Sequence, residues 1–574
     1  MTLLRESLLY RLYLALQGAY ERSAARRILH AFGAWCAEQA TQSRVLTALA
    51  REGQLSAAWE SSRMRYILTA IFTFPGRMLN RWYEAWRATF EDSVFARIAF
   101  ELGEGTAIAE SWLIMLLWII PYDYWDNAWS LIVFAFLLVL FHAGAMRRRT
   151  FQLDVADIGF YPMVFLFLMI LSAPLSYRPE LSWRFLGYHM AAALCVLVTV
   201  SAARNVADLK RLCAGATFCA GVSSVYGVIQ RIRGVKVNIA YVDAKLNPDM
   251  PGRVQSYFDN PNTFGEFLVM LLPLALALAL CSEKRRGKIL AGAVCFFGVA
   301  ALLMTYSRAA WVGFALSVGL MVLTLRPTLL PGLIALCIVA IPFLPSAVWT
   351  RILTITNFND TTTSSRFPLY EAAFNLIRRA PLDGAGLGSD VVRQYIKDFR
   401  LYHGSAPFVH AHNLYLQVCI ETGLLGVTAF LASIFWAVKR GFRAVTNAKG
   451  AARIITCAAA AGVCGITLCG MADYPWHYPR VQVVYWFLFA VTLAGVKVCR
   501  MESGSGAGSH APIGMTQRDA ENHTPSWKPP HGAGTYVPAR VAGMDTPIRK
   551  PESKLERTRK HGKTAGHRRS GRKR

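Results

Sequence analysis

Residues 263–281 read TFGEFLVMLLPLALALALC, a run with a single acidic or basic residue, Glu266. At a helical rise of about 1.5 Å per residue it extends about 28 Å, close to the ~30 Å hydrocarbon thickness of a bilayer. SEKRRGK (282–288) follows directly, and a second apolar run begins behind it. Two apolar runs joined by a short basic turn form a hairpin of membrane spans. The pattern recurs in both directions along the chain.

Working outward, twelve spans are expected: 107–121, 127–145, 155–174, 184–201, 211–229, 263–281, 288–306, 309–325, 328–344, 412–437, 452–471 and 481–499. Composition agrees. The 574 residues are 54% hydrophobic and 17% charged, whereas soluble domains carry about 25% charged residues. Disorder, collagen and a soluble enzyme are excluded, and the fold class is all-α and polytopic. The net charge of +27 divides into +3 over 1–106, +14 over 107–499 and +10 over 500–574. No cysteine spacing resembles a zinc site. The arginines scattered through the N-terminus argue against a cleavable signal peptide, so the first span is expected to direct insertion.

Short-loop charges orient the spans. With a cytoplasmic N-terminus, the inner connections carry Arg147–Arg149, Arg204, Lys210 and Arg211, Lys284–Arg286 with Lys288, Arg326, and Lys439 to Arg453. The outer connection at 122–126 (YDYWD) has two acids and no base. Two outer connections are long, 230–262 and 345–411. The second lies between spans nine and ten. In it Ser364 or Ser365 caps an expected helix to about Arg379, stopped by Pro381 and GAGLG (384–388), and a second helix runs from Asp390 to about Arg400.

Residues 1–106 read as amphipathic helices, either on the inner membrane surface or as a small cytosolic domain. The tail 500–574 is basic, rich in Gly, Pro and Ser, and has too few large apolar residues to fold alone. It reads as a cytoplasmic anchor able to touch anionic lipid; nucleic acid is not an expected partner.

Polar groups at span ends carry the chemistry, because burying them in a bilayer is costly. His410 and His412 stand at the start of span ten. Asn413, Gln417 and Glu421 follow at helical spacing, and either face a polar cavity or satisfy neighbouring helices. Arg308, in YSR (306–308), occupies a short outer turn against the positive-inside bias. Headgroup snorkelling would also account for it. Arg253, Arg366, Arg378 and Arg379 add outer guanidinium groups, whose planar forks suit a diphosphate. The turn YFDNPN (257–262) ends on Asn262. Asp473, Tyr474 and His477 cluster at the outer end of span eleven. GAGLG lacks the strand and spacing of a nucleotide loop, and no cofactor is expected.

Three segments resemble the O-antigen ligase and polymerase superfamily: RVQSYFDNPNTFGEFLVMLLPL (253–274), YSRAAWVGF (306–314) and HAHNLYLQVCIETGLLG (410–426). SSRFPLYEAAFNLIRRAPLDGAGLGS (364–389) resembles the family's large outer loop. The resemblance covers about 230–500 and leaves 1–106 and 500–574 unmatched.

It implies a membrane glycosyltransferase of GT-C-like architecture in the bacterial inner membrane. Metal-independent and inverting, such an enzyme moves a glycan from a polyprenyl diphosphate carrier to a sugar hydroxyl. Envelope-assembly proteins are further expected partners. On that resemblance His412 is the general base, with His410 as rival. Arg308 and Arg366 hold the diphosphate, and Glu421 orients neighbouring groups. Arg253, Asn262, Asn413, Gln417 and His410 line the substrate. The competing class is a transporter or flippase of lipid-linked glycans, which usually shows an internal repeat; none is visible here.

Overall fold

The apolar runs fold as helices because a chain in hydrocarbon has to satisfy its own backbone. The computed structural model describes residues 8–24, 26–27, 31, 58–148, 152–236, 251–353, 365–404 and 407–504. The tail beyond 504, Ser364 and parts of the two long connections 230–262 and 345–411 lie outside these residues. In chain order the helices are α1 (Leu8–Arg22), α2 (Arg63–Ala85), α3 (Arg87–Asp92), α4 (Val94–Glu104), α5 (Thr106–Leu117), α6 (Ala128–Arg147) and α7 (Val155–Ile158). Then come α8 (Phe160–Ser172), α9 (Pro179–Ala202), α10 (Val206–Arg233), α11 (Pro261–Cys281), α12 (Arg285–Met304), α13 (Arg308–Leu325) and α14 (Leu330–Ala340). The series ends with α15 (Ser346–Leu353), α16 (Phe367–Arg379), α17 (Ser389–Asp398), α18 (Leu414–Asn447), α19 (Gly450–Cys469) and α20 (Pro479–Gly504). Among the described residues the fold is all-helical.

Nine of these helices, α6, α9 to α13 and α18 to α20, are long and apolar enough to cross a membrane. The other expected spans are shorter or broken, each for a local reason. α5 ends at Leu117, ahead of Pro121. The run 155–174 is divided at Gly159, whose φ of 84° separates α7 from α8. The run 328–344 keeps only eleven α-helical residues, with 3-10 turns at Pro327–Leu329 and Ile341–Phe343. Proline removes a backbone donor and disfavours helix in the residue before it, so Pro342 stops α14.

α20 is the central post, with 94% of its span buried, while α12 and α13 face outward with 22% and 28%. α13 and α19 touch backbone to backbone. A Cβ on Gly313 would meet the Gly465 carbonyl oxygen at 2.6 Å, so small residues set that distance. At the other surface α2 is tied to α6 by Asn80 donating to the Met146 carbonyl at 2.9 Å. Tyr83 and Phe100 stack edge to face there at 5.4 Å.

The helical cap formed by residues 365–404 follows its punctuation. α16 stops at Arg379 before Pro381, and α17 ends at Asp398, two residues before Arg400 turns left-handed with φ 52°. α16 opens at Phe367, with Arg366 rather than a serine at its cap position. Leu369, Leu376, Val391, Val392 and Ile396 build a small core with Ile420 of α18.

Candidate active site

α18 begins at Leu414, so His412 and Asn413 lie before the helix rather than on its face. Asn413 is its cap: the side-chain oxygen accepts from the amides of Tyr415 and Leu416, both at 3.0 Å. Its amide nitrogen donates to the Met471 carbonyl at 2.8 Å, and the Leu414 amide donates to Gly470 at 2.7 Å. The start of α18 is thereby laced to the turn after α19. His412 sits at the bend in left-handed backbone, φ 45°.

That lacing sets His412 beside Asp473. The Nδ1 of His412 lies 3.1 Å from Oδ1 of Asp473. The other carboxylate oxygen accepts from Nδ2 of Asn262 at 3.0 Å. Asn262 in turn accepts from the guanidinium of Arg253, whose Nε donates to the Thr305 carbonyl at 2.7 Å. A chain of hydrogen bonds thus runs Arg253–Asn262–Asp473–His412. Burial pushes the Asp473 carboxyl upward, but the hydrogen bond from His412 and the charges of His412, Arg366 and His410 outweigh it. The net effect holds it well below the usual carboxylate range. An ionised Asp473 fixes the proton on Nδ1 of His412 and leaves Nε2 as acceptor.

His410 packs between two other imidazoles, with ring centres 4.0 Å from His412 and 4.6 Å from His477. Its Nδ1 accepts the His412 amide at 3.2 Å. Burial, then the charges of His412 and His477, push His410 well below the usual histidine range. His477 is lowered too, chiefly by burial. Neutral in the fold, His410 takes up a proton near pH ~6.5 only once unfolded. Stability tied to it is therefore complete above that pH and lost as pH falls below it toward the folded value. Thermal unfolding in detergent from pH 8 to pH 5 should show a falling midpoint, and His410→Asn, which still accepts the 412 amide, should flatten the fall. An unchanged slope would refute the assignment. Asp473 acts in a separate, more acidic window, below about pH 4.

Arg366 stands at the cap position of α16, half-buried, and its charge reaches Asp473 and His410. One turn on, the Tyr370 hydroxyl hydrogen-bonds Asn413. Arg308 opens α13, half-buried. The carbonyl of the next residue, Ala309, accepts from Sγ of Cys469 at 3.1 Å, four positions before Asp473. Gln417 and Glu421 form a buried layer beneath the bend. Oε1 of Gln417 accepts from the Ala411 amide at 2.9 Å, and Nε2 donates to Glu421 at 2.7 Å. Glu421 also accepts from the Tyr474 hydroxyl at 3.3 Å and from the Gly388 amide.

His410, His412, Asn413, Asn262, Arg253 and Arg366 therefore share one cluster with Asp473, and Gln417 and Glu421 brace it from below. Arg308 lies at the adjoining helix start. Sequence placed Asp473 in a polar cluster at a span end without giving it a role, and it passed over Tyr370. Asp473 had a signal, an acid between two apolar spans. Tyr370 had none beyond its place one turn after Arg366. Among the described residues no group of three or more His, Cys, Asp or Glu is arranged to hold a metal ion.

Residues 293–431, which carry Arg308, Arg366 and the 410–421 segment, match the family model described as O-antigen ligase. Over that segment the chain is similar to the O-antigen ligase and polymerase superfamily. Together with the nine membrane-length helices, that match supports a multi-pass membrane protein with an O-antigen ligase- or polymerase-type role in envelope polysaccharide assembly. The match begins after Arg253 and Asn262 and stops before Asp473, and folding brings those three to the matched segment. No curated protein matches the chain.

Proposed function

We propose that this protein transfers a glycan from a polyprenyl diphosphate carrier to a sugar hydroxyl, as a ligase or a polymerase. The observation that carries the reading is the His412–Asp473 pair set among guanidinium groups. Nε2 of His412 takes the proton of the acceptor hydroxyl as its oxygen attacks the anomeric carbon. The bond from that carbon to the diphosphate oxygen breaks, and the electron pair leaves on the diphosphate. Arg308 and Arg366, with Arg253 behind Asn262, hold the charge that develops there, which is the largest electrostatic demand of the step. A single displacement of this kind inverts the anomeric centre and needs no metal ion. Gln417, Glu421 and Asn413 act as positioning residues, and His410 supports the bend.

The same reading places the chain in the inner membrane, with both termini cytoplasmic. Residues 1–106 form a cytoplasmic helical region, 107–499 the membrane domain and 500–574 a basic tail. α5, α8 and the broken 327–343 run join the nine long helices to make twelve crossings, with the 345–411 loop outside. The inner basic connections support that orientation.

Purified protein given a polyprenyl-diphosphate oligosaccharide and acceptor glycan should form a new glycosidic bond, with Arg308→Ala and Arg366→Ala slower. If wild type instead moves the lipid-linked glycan across vesicles and joins nothing, the transporter reading replaces this one.

A further inference from the structure

A lateral groove of about 1120 Å³ runs between α10 and α12. Phe218, Val222 and Val225 form one wall and Leu290, Val294 and Phe297 the other. From Lys210 to Ile229 the α10 wall extends about 28 Å at helical rise, most of the ~30 Å hydrocarbon thickness. α12 is the least buried of the nine membrane-length helices, so the groove opens toward lipid.

Its two ends differ in charge. One carries Lys210, Lys284 and Arg286 beside Glu283; the other carries Tyr226 and Ile229. Glu283 pairs with Lys210 at 3.0 Å. Among the described residues no acid ion-pairs Lys284 or Arg286, so two positive charges remain uncompensated at that end. The first-turn amides of α12 there also lack a side-chain cap. Apolar walls suit acyl chains, and the basic end suits a phosphate carrying a net negative headgroup.

We propose that this groove holds one anionic glycerophospholipid, with its acyl chains between α10 and α12 and its phosphate against Lys284 and Arg286. That the lipid belongs to the cytoplasmic leaflet rests on the orientation given above; its binding does not. The occupant fits the charge asymmetry, because a polyprenyl diphosphate donor would need its anionic end at the opposite mouth, near the His412 cluster.

Native mass spectrometry of the full chain, in micelles doped with phosphatidylglycerol or phosphatidylcholine, tests the assignment. Wild type should retain one phosphatidylglycerol with a preference of about tenfold or more over phosphatidylcholine. The exposed double change Lys284→Gln with Arg286→Gln should bring that preference close to one. Ala293→Trp, which fills the trough from a lipid-facing position, should reduce retention of both lipids while the unfolding temperature stays near wild type. The proposal is overturned if either variant retains phosphatidylglycerol like wild type. It is equally overturned if undecaprenyl phosphate displaces the lipid from wild type and the double variant alike. The readout is lipid retention, so failure of the transfer assay leaves this result untouched.

Discussion

His412→Asn should slow glycan transfer by about 10²–10⁴-fold, the usual worth of a general base, while leaving the fold intact. Two features of position 412 make asparagine the informative change. Its side chain is 38% exposed, so little packing is lost. Its φ of 45° is a conformation that asparagine tolerates better than most residues. Asparagine can keep a hydrogen bond to Asp473 yet cannot take a proton from a sugar hydroxyl. Single-turnover transfer at saturating donor is the measurement, run across pH. The limb of the profile that reports the base should vanish in the variant. Asp473→Asn should give a smaller loss. An amide has one acceptor oxygen, so it satisfies His412 or Asn262 but not both, and its NH₂ group meets the other donor. Wild-type rates for His412→Asn would sink the base assignment.

The histidine was legible in the sequence and its geometry was not. Asn413, Gln417 and Glu421 at four-residue spacing look like one polar stripe. Asn413 is instead spent on capping α18, which pushes His412 outside the helix and into a strained bend. A spacing rule cannot distinguish a cap from a first helical residue when both are polar. Asp473 was visible as an acid at a span end, but its partner lies 61 residues away and is found only by folding. The cap helices α16 and α17 were legible because proline and glycine punctuate them directly. The broken 327–343 run was not, since hydropathy counts apolar residues and is blind to the donors that Pro327, Pro331 and Pro342 remove. The structural work of GAGLG could not be read from its spacing.

That work concerns a break in α18, and Gly423→Ala should show how much rests on it. Gly423 has φ 67° and ψ −173°, a region open almost only to glycine. The helical ladder is interrupted there. The Leu424 amide turns away to the Pro381 carbonyl at 2.8 Å, which frees the carbonyl of Ile420, with that of Glu421 next to it at the break. In a membrane protein these need donors. The loop provides them: Ala385 donates to Ile420 at 2.7 Å and Gly386 to Glu421 at 3.1 Å. The seat is tight, because a Cβ on Gly423 would lie 2.0 Å from the Leu382 carbonyl oxygen. Alanine must therefore force the conformation and also push the 382–383 backbone away from α18, at a combined cost of about 2–6 kcal/mol. Gly319→Ala is the control, since nothing lies within 4 Å of its Cβ position and a helical glycine gains about 0.5–1 kcal/mol on becoming alanine. Scanning fluorimetry in detergent should show Gly423→Ala unfolding well below wild type and Gly319→Ala at or above it. Transfer should fall with the first variant even where it stays folded, because Glu421 and Gln417 hold the bend that carries His412. Equal midpoints for Gly423→Ala and wild type would mean that the loop is not what completes the broken helix.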